Sequence, residues 1–171
     1  MATVGGIPRR DWDKVHDLAL LIVGASVSRR PARLKRLKAQ MLKYLSSLEN
    51  RYGELPSILA TRADYLDDAR TKEELLIRAY GLSKRRRDSL NQLEIAHSLS
   101  QLYIERFRAP RKATIWLRRL KAHLEKSGSP YQKNEYHFLK QSLRKLLVGN
   151  SPGKLEEIGD RKKRAGGKGL S

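Results

Sequence analysis

Apolar residues recur every three or four positions along most of the chain, in segments separated by proline, glycine or charged turns. An α-helix turns by about 100° per residue, so this spacing gathers the apolar side chains on one helical face. Alternating runs of β-branched residues and two-residue hairpin turns, which are typical of strands, are nearly absent. The pattern predicts an all-α fold with helices at residues 11–26, 31–51, 56–67, 71–85, 89–108, 110–127 and 130–148.

The predicted helices are joined by short turns, which favour antiparallel packing of neighbouring helices. Proline opens four of them, at residues 31, 56, 110 and 130, an early helical position where its missing N–H costs nothing. We therefore expect an antiparallel array of six to seven helices in one domain, residues 1–149, followed by a flexible basic tail at residues 150–171. The pairs Thr71–Glu74, Ser89–Gln92 and Ser129–Gln132 resemble capping boxes.

The apolar face of each helix is expected to form the core. Trp12 and Trp116 are predicted to anchor it, and the tyrosines are expected to pack on or beside it. On the second helix the face comprises Leu34, Leu37, Met41, Tyr44, Leu45 and Leu48. On the last helix it comprises Tyr131, Phe138, Leu139, Leu143, Leu146 and Leu147.

Two stretches resemble the helical hairpins of the tetratricopeptide family. The first is LPSILATRADYLDDARTKEELLIRAYGLSKRRRD, with Ala60 and Ala79 at small-residue contact positions and Tyr65 as the aromatic residue. The second is LEIAHSLSQLYIERFRAPRKATIWLRRLKAHL, with Ala96, Tyr103 and Ala113 in similar places. The resemblance covers about residues 56–127 and implies a tetratricopeptide-like α-solenoid. Members of that family are generally scaffolds that bind peptides, proteins or sometimes nucleic acid, and they are not catalysts.

Several classes of protein are not expected from this sequence. The chain has no cysteine, which excludes disulfides, thiol nucleophiles and cysteine-ligated metals. The N-terminal residues lack the apolar segment of a signal peptide. The longest apolar run, LALLIVGA, is far shorter than the roughly 20 residues needed to cross a bilayer. We expect a soluble cytoplasmic protein with no membrane contact.

No motif for a cofactor or for catalysis occurs, so we expect no enzyme activity and no cofactor. The four histidines have no partner at the spacing of a zinc-binding helix. An acidic cluster is the remaining candidate for a site that binds a divalent cation. Alternatively, its residues stabilise helix N-termini or pair with a basic segment of another copy of the chain. Its members are Asp64, Asp67, Asp68, Glu73 and Glu74.

The net charge of +19 is far larger than soluble domains of this size usually carry. Such charge repels itself and weakens the compact state, which suggests a polyanionic or acidic partner. The charge is uneven: residues 28–48 carry +7 without an acid, residues 49–82 carry −2, and residues 83–149 carry +11. A slightly acidic middle thus separates two basic regions.

A helical projection of the first basic region places five side chains within about 80° of one another. We call Arg29, Arg33, Arg36, Gln40 and Lys43 the basic ladder. It is about 20 Å long, at about 1.5 Å per residue, which suits several phosphates of a nucleic acid. A solvated face that maintains solubility is the alternative, although no acid interleaves these bases.

Two further groups of bases are candidate contacts to nucleic acid. Arg85, Arg86 and Arg87 form a turn cluster, and Arg118, Arg119 and Lys121 form a helix cluster. The tail adds Arg161 to Arg164, RKKR. Two functions follow: binding of DNA or RNA through phosphates, as in a small subunit of a nucleoprotein complex, or an adaptor that grips an acidic protein. The adaptor's groove candidates are Asn91, Gln92, Gln101 and Tyr103.

Overall fold

A computed structural model describes residues 6–149, and the predicted tail at residues 150–171 lies outside the described residues. The all-α prediction is confirmed: seven helices pack against one another, and residues 6–149 contain no β-sheet. The helices are α1 (Arg9–Val27), α2 (Pro31–Tyr52), α3 (Pro56–Asp64), α4 (Ala69–Arg85), α5 (Ser89–Glu105), α6 (Pro110–Ser127) and α7 (Pro130–Gly149).

Helix starts differ from two of the predicted capping boxes. The carboxylate of Asp68 accepts the Thr71 N–H at 2.7 Å, so α4 begins at Ala69 instead of residue 71. The Asp88 carboxylate likewise accepts the Asn91 N–H at 3.0 Å and caps α5. In both cases an aspartate before the expected box took the N-cap position, where a short charged acceptor is strongly favoured.

The third capping box is confirmed. The Gln132 N–H donates to the Ser129 hydroxyl at 3.3 Å, and the Ser129 N–H donates to the Gln132 side-chain oxygen at 3.0 Å. This reciprocal pair satisfies two backbone donors at the start of α7. At the other ends, α3 stops at Asp64 and α5 stops at Glu105, each three residues earlier than predicted.

The buried residues form two cores that meet at α3. The N-terminal core lies between α1 and α2 and includes Ile58 of α3. The C-terminal core extends from Leu59 and Ala63 of α3 through α7. Helix α5 is the central element of this second core, because it packs against α3, α4, α6 and α7. Helix α3 therefore connects a two-helix layer to a thicker helical body.

The predicted stripe of α2 packs as expected, with Leu37, Met41, Leu45 and Leu48 buried and Leu34 and Tyr44 partly buried. Trp116 is buried, and Trp12 packs partly buried on the N-terminal core. The prediction for α7 is wrong at three positions. Tyr131 and Phe138 are 71% and 61% exposed, and Leu147 is also exposed. Among the described helices, α7 packs against α5 and α6 alone, which leaves its other side exposed.

Within residues 6–149, no helix combines the length and the apolar character that a membrane crossing requires.

Candidate nucleic-acid interface

Four members of the basic ladder lie on α2. Because Pro31 starts the helix, residues 33, 36, 40 and 43 follow one another at helical spacing. Their side chains are all exposed, beside the buried stripe that packs on α1 and α3. They extend over about 15 Å at about 1.5 Å per residue. This row presents two guanidinium groups, one amide and one ammonium group to solvent.

Arg29 does not continue this row, because it lies in the turn between α1 and α2. Its φ of 48° is left-handed. The Arg30 N–H donates to the Ala25 carbonyl at 3.0 Å, and the Arg29 N–H donates to the Ser26 carbonyl at 3.1 Å. These two bonds define a Schellman motif, in which glycine usually occupies the left-handed position. The prediction that Arg29 shares the α2 face is therefore wrong, although Arg29 stays exposed at the head of the row.

The charge of this region is largely uncompensated. Lys38 pairs with Asp67, with Nζ and Oδ1 3.0 Å apart. Among residues 6–149, none of the four ladder bases has a carboxylate within 4.0 Å, and all four are exposed. An anion can therefore contact them without first displacing an internal partner.

A shallow groove between α1 and α2 adjoins the ladder. Its volume is about 460 Å³, and two ladder residues form one rim. The Lys14 ammonium lies 4.5 Å from the centre of the Tyr44 ring, which is a cation–π distance. We call it the α1–α2 groove, and it is lined by Lys14, Leu18, Gln40, Lys43, Tyr44 and Ser47. This lining combines two lysines with an aromatic ring, groups that can contact a phosphate together with its sugar or base.

Asp11 fixes the two helices that form this groove. It is buried, and its carboxylate accepts the Tyr52 hydroxyl at 2.5 Å and the Arg51 guanidinium at 3.0 Å. The Tyr44 hydroxyl donates to the Asp11 backbone carbonyl at 3.2 Å. The hydrogen bond from Tyr52, together with the charge of Arg51, holds the pKa of Asp11 below its usual value despite burial. Sequence reasoning missed this network, since Asp11 resembles an ordinary residue of a helix's first turn.

The turn cluster lies at the C-terminal end of α4. Its three arginines are exposed and have no acidic partner among the described residues. Arg87 has a φ of 54°, and the Asp88 N–H donates to the Ser83 carbonyl at 2.9 Å. The Arg87 N–H donates to the Lys84 carbonyl at 3.1 Å, which completes a second Schellman motif with an arginine in the left-handed position.

The structure divides the helix cluster. The Arg119 guanidinium lies over the rings of Trp116 and Tyr80, 4.4 and 5.5 Å from their centres. Lys121 pairs with Glu125 at 3.5 Å. Arg118 is exposed on α6, about 100° around the helix from Arg119. These three bases therefore do not form one surface for an anion.

The basic groups lie on separate parts of the molecule. Helix α2 packs against α1 and α3 and makes no contact with α4 or α6. We call α1 and α2 the N-terminal hairpin and α4 to α7 the C-terminal body. The turn cluster and the helix cluster belong to the C-terminal body, whereas the ladder belongs to the N-terminal hairpin. The structure does not join the ladder to either cluster through packed helices, so only the ladder and the α1–α2 groove form a local site.

The acidic cluster is used internally. Asp67 pairs with Lys38, Asp68 caps α4, and Asp64 lies 3.9 Å from Lys72. Glu73 accepts the Tyr103 hydroxyl and the Lys112 ammonium, the latter at 3.0 Å. No group of residues suited to holding a metal ion occurs within residues 6–149.

The adaptor's groove candidates all form hydrogen bonds within the chain. Tyr103 is buried and donates to Glu73. The Gln92 amide donates to the Ser83 carbonyl at 3.2 Å, and the Asn91 amide donates to Asp88 at 2.6 Å. Gln101 is exposed and bonds to Glu105 on its own helix. Each candidate therefore has a local structural partner.

No family model, no curated protein and no solved structure matches this chain. The α3–α4 and α5–α6 hairpins are present, and Ala79, Ala96 and Ala113 are fully buried in the C-terminal core, with Ala60 packed against it. Membership of the tetratricopeptide family nevertheless stays a prediction.

Proposed function

We propose that this protein binds nucleic acid, DNA or RNA, without catalysis, through phosphate contacts of the basic ladder. The observation that carries the proposal is the row of exposed ladder bases beside the α1–α2 groove, with no carboxylate within 4.0 Å of them among residues 6–149, in a chain whose net charge is +19. Maintaining repulsive charge on one helix costs stability, and a bound polyanion offsets that cost. Arginine is well suited to this contact, because its planar fork binds phosphate oxygens in pairs.

The α1–α2 groove extends the ladder into a site with a floor. A strand whose phosphates contact Arg33 and Arg36 can continue toward Lys43 and Lys14. There Lys43 and Lys14 can neutralise phosphates, and a base or sugar packs beside the Tyr44 ring, over which Lys14 lies. A basic track beside an aromatic floor is the usual arrangement for single strands bound with little sequence preference. We therefore place single-stranded nucleic acid ahead of duplex as the ligand.

Fluorescence anisotropy tests the proposal with single- and double-stranded probes between about 50 and 300 mM salt. The ladder variant replaces Arg29, Arg33, Arg36 and Lys43 by Gln. A matched control replaces Arg111, Lys126, Lys133 and Lys140, which are exposed bases of the C-terminal body with no ion pair among residues 6–149. Both variants lower the net charge by the same amount.

We expect the ladder variant to lose at least about tenfold in affinity and to reduce the salt slope by about 0.7 for each single-strand phosphate contact removed. The control should lose much less. Equal losses in the two variants would mean that only net charge attracts the probe. Binding that disappears by about 100 mM salt in all proteins would make the ladder a solvated face. An acidic protein partner, the adaptor alternative, would then be the next hypothesis.

A further inference from the structure

A cavity of about 240 Å³ opens between α5 and α7, on the C-terminal body. Leu93 and Leu120 form an apolar part of its wall, and both are buried. Tyr131 also lines it, although this residue is 71% exposed. Polar side chains of α5 and α7 contribute further parts of the wall, among them Glu94, His97 and Glu135. We call this space the α5–α7 cavity.

Neither glutamate of the cavity is paired with a lysine or an arginine of residues 6–149. The Glu94 carboxylate accepts the Gln132 amide at 2.7 Å, and Gln132 belongs to the same wall. No lysine or arginine nitrogen of the described residues lies within 4.0 Å of either carboxylate. The chain has 37 lysines and arginines against 18 aspartates and glutamates, so bases are not scarce. Two carboxylates thus give the cavity a negative character in a strongly basic protein.

His97 is the third titratable group of the wall, and one of its ring nitrogens lacks a hydrogen bond. The Nε2 atom of His97 is buried and has no hydrogen-bond partner within residues 6–149. It lies 3.8 Å from the Glu135 Oε2 atom, which is too far for a hydrogen bond. Folded proteins rarely leave a buried nitrogen in this state. The polar side chains of the cavity therefore do not satisfy one another.

We propose that the α5–α7 cavity binds an alkylammonium group, the group that ends a lysine side chain or a polyamine. An ammonium carries a positive charge and three donors, and the Glu94 and Glu135 carboxylates are charged acceptors for them. Its alkyl chain packs on Leu93 and Leu120. The ring of Tyr131 lies beside the ammonium, where a cation and an aromatic face attract one another. This contact gives a role to an aromatic side chain that the fold leaves exposed.

A bound ammonium also affects the histidine of the wall. The His97 Nε2 atom faces Glu135, so a Glu135 side chain that turns toward the ammonium leaves room for a partner at that nitrogen. Binding therefore satisfies groups that the side chains of the cavity leave without a hydrogen bond.

Two other classes of ligand fit the cavity less well. Metal ions need several ligating side chains, and no group of three suited to that purpose occurs within residues 6–149. The two leucines offer no ligand to a metal, whereas they suit the methylene groups of an alkylammonium. Phosphate is repelled by the two carboxylates. The cavity thus takes a different ligand from the basic ladder, and the inference is independent of the proposed function.

An NMR titration of the full chain tests the proposal at about 150 mM salt, where long-range repulsion by the net charge is screened. The probes are N-acetyl-lysine amide, spermidine, and N-acetyl-norleucine amide, whose side chain matches the lysine stem without the ammonium group. We expect saturable shifts of the backbone amides of Glu94, His97 and Glu135, with a Kd of about 10 mM or lower for an ammonium probe. The norleucine probe should produce no such shifts.

Single substitutions then identify the groups that hold the ammonium. Glu94→Gln and Glu135→Gln keep the shape of each side chain and remove its charge, so each should weaken binding at least about tenfold. Glu105→Gln is the matched control. Glu105 is exposed on α5, outside the cavity, and accepts the Gln101 amide as Glu94 accepts Gln132. The control should change the affinity less than about twofold.

Three results would overturn the proposal. The first is the absence of saturable shifts at the cavity with either ammonium probe up to about 20 mM. The second is equal binding of the norleucine probe, which would show that the apolar stem alone is recognised. The third is an equal loss of affinity in Glu105→Gln, which would show that only the general field of the acids attracts the probe. The tighter of the two ammonium probes identifies the source, a lysine side chain or a free polyamine, and either one supports the site.

Discussion

The N-terminal hairpin and the C-terminal body are built from the same helical pattern, but they bury different shares of their surface. Helices α1 and α2 bury one stripe each, and of the two only α2 packs against a further helix, α3. In the body, α5 is enclosed by four other helices. A two-helix layer has more outward surface for each buried residue than a packed body has. The hairpin is therefore the part where exposed side chains are free to serve binding.

Some bases of the body have partners within the chain. In the body, Lys112 pairs with Glu73, Lys121 pairs with Glu125, and Arg119 lies over two aromatic rings. On the hairpin, the four ladder bases have no such partner among residues 6–149. Exposed bases without an ion pair among residues 6–149 also occur in the body, for example in the turn cluster. The ladder differs because its bases form a row on one helix beside the α1–α2 groove. The following predictions test the contrast between the hairpin and the body.

The largest difference is expected for core truncations. Leu99→Ala on α5 should lower the free energy of unfolding by about 3–5 kcal/mol, and Leu45→Ala on α2 by about 2–3 kcal/mol. Both side chains are fully buried, but Leu99 is enclosed by several helices that cannot close the cavity. The hairpin can relax around Leu45. Urea denaturation measures both values, and equal costs would contradict the division into a thin layer and a rigid body.

A smaller effect is expected at Asp11, which links α1 to the end of α2. Asp11→Asn removes the charge that Arg51 and Tyr52 contact, so α1 should loosen from α2. The folded state depresses the pKa of Asp11, chiefly through the Tyr52 hydroxyl. Its contribution to stability is therefore complete above the ordinary aspartate pKa of about 3.9 and is lost as pH falls through the lower folded value.

Thermal unfolding between pH 7 and pH 2 checks this sign. Wild type should exceed Asp11→Asn in stability at pH 7, and the two curves should converge as the pH falls below about 3.9. Asp13→Asn is the matched control, since Asp13 is exposed and pairs only distantly with Arg9 at 4.0 Å. A constant gap at all pH values would show that the Asp11 charge does not hold the hairpin together.

The fold was accessible from sequence because its main determinant is local. Each helix repeats its apolar residues at helical spacing, and each turn contains a strong stop, so fold class and helix positions follow directly. The errors arose where a competing local group decided the outcome. Asp68 and Asp88 displaced the expected caps because an aspartate at the N-cap binds the free N–H groups more strongly than its neighbours.

The candidate site was only partly accessible, because it depends on contacts between helices. The spacing of Arg33, Arg36 and Lys43 predicted their common face on α2. It did not reveal that Lys14 of α1 adjoins them, since no local pattern reports which helix α2 will pack against. The exposure of Phe138 was missed for the same reason: an apolar residue at helical spacing looks identical whether a neighbour is present or not.

The smallest predicted effect concerns Arg29 and Arg87, two of the three arginines with a left-handed φ among residues 6–149. A left-handed conformation costs a residue with a β-carbon about 1–2 kcal/mol, and glycine avoids that cost but loses about 0.5–1 kcal/mol through its freedom in the unfolded chain. Arg29→Gly and Arg87→Gly should therefore raise stability by up to about 1 kcal/mol. Arg29→Gln and Arg87→Gln remove the same charge and keep the strained backbone, so their stability should stay nearly unchanged.

The same four variants sharpen the comparison between the hairpin and the body. If Arg29 contacts phosphate, Arg29→Gly should stabilise the fold while weakening the binding of single-stranded nucleic acid, and Arg29→Gln should weaken binding to the same extent. At Arg87, on the body, binding should change less while the gain in stability is similar. If Arg29 strains the backbone without stabilising the fold but contributes to binding, that contribution would explain why arginine and not glycine occupies this turn. Thermal unfolding measures the change in stability of these variants, and fluorescence anisotropy measures their change in binding. Equal losses of binding at Arg87 and Arg29 would contradict the prediction that the hairpin binds nucleic acid and the body does not.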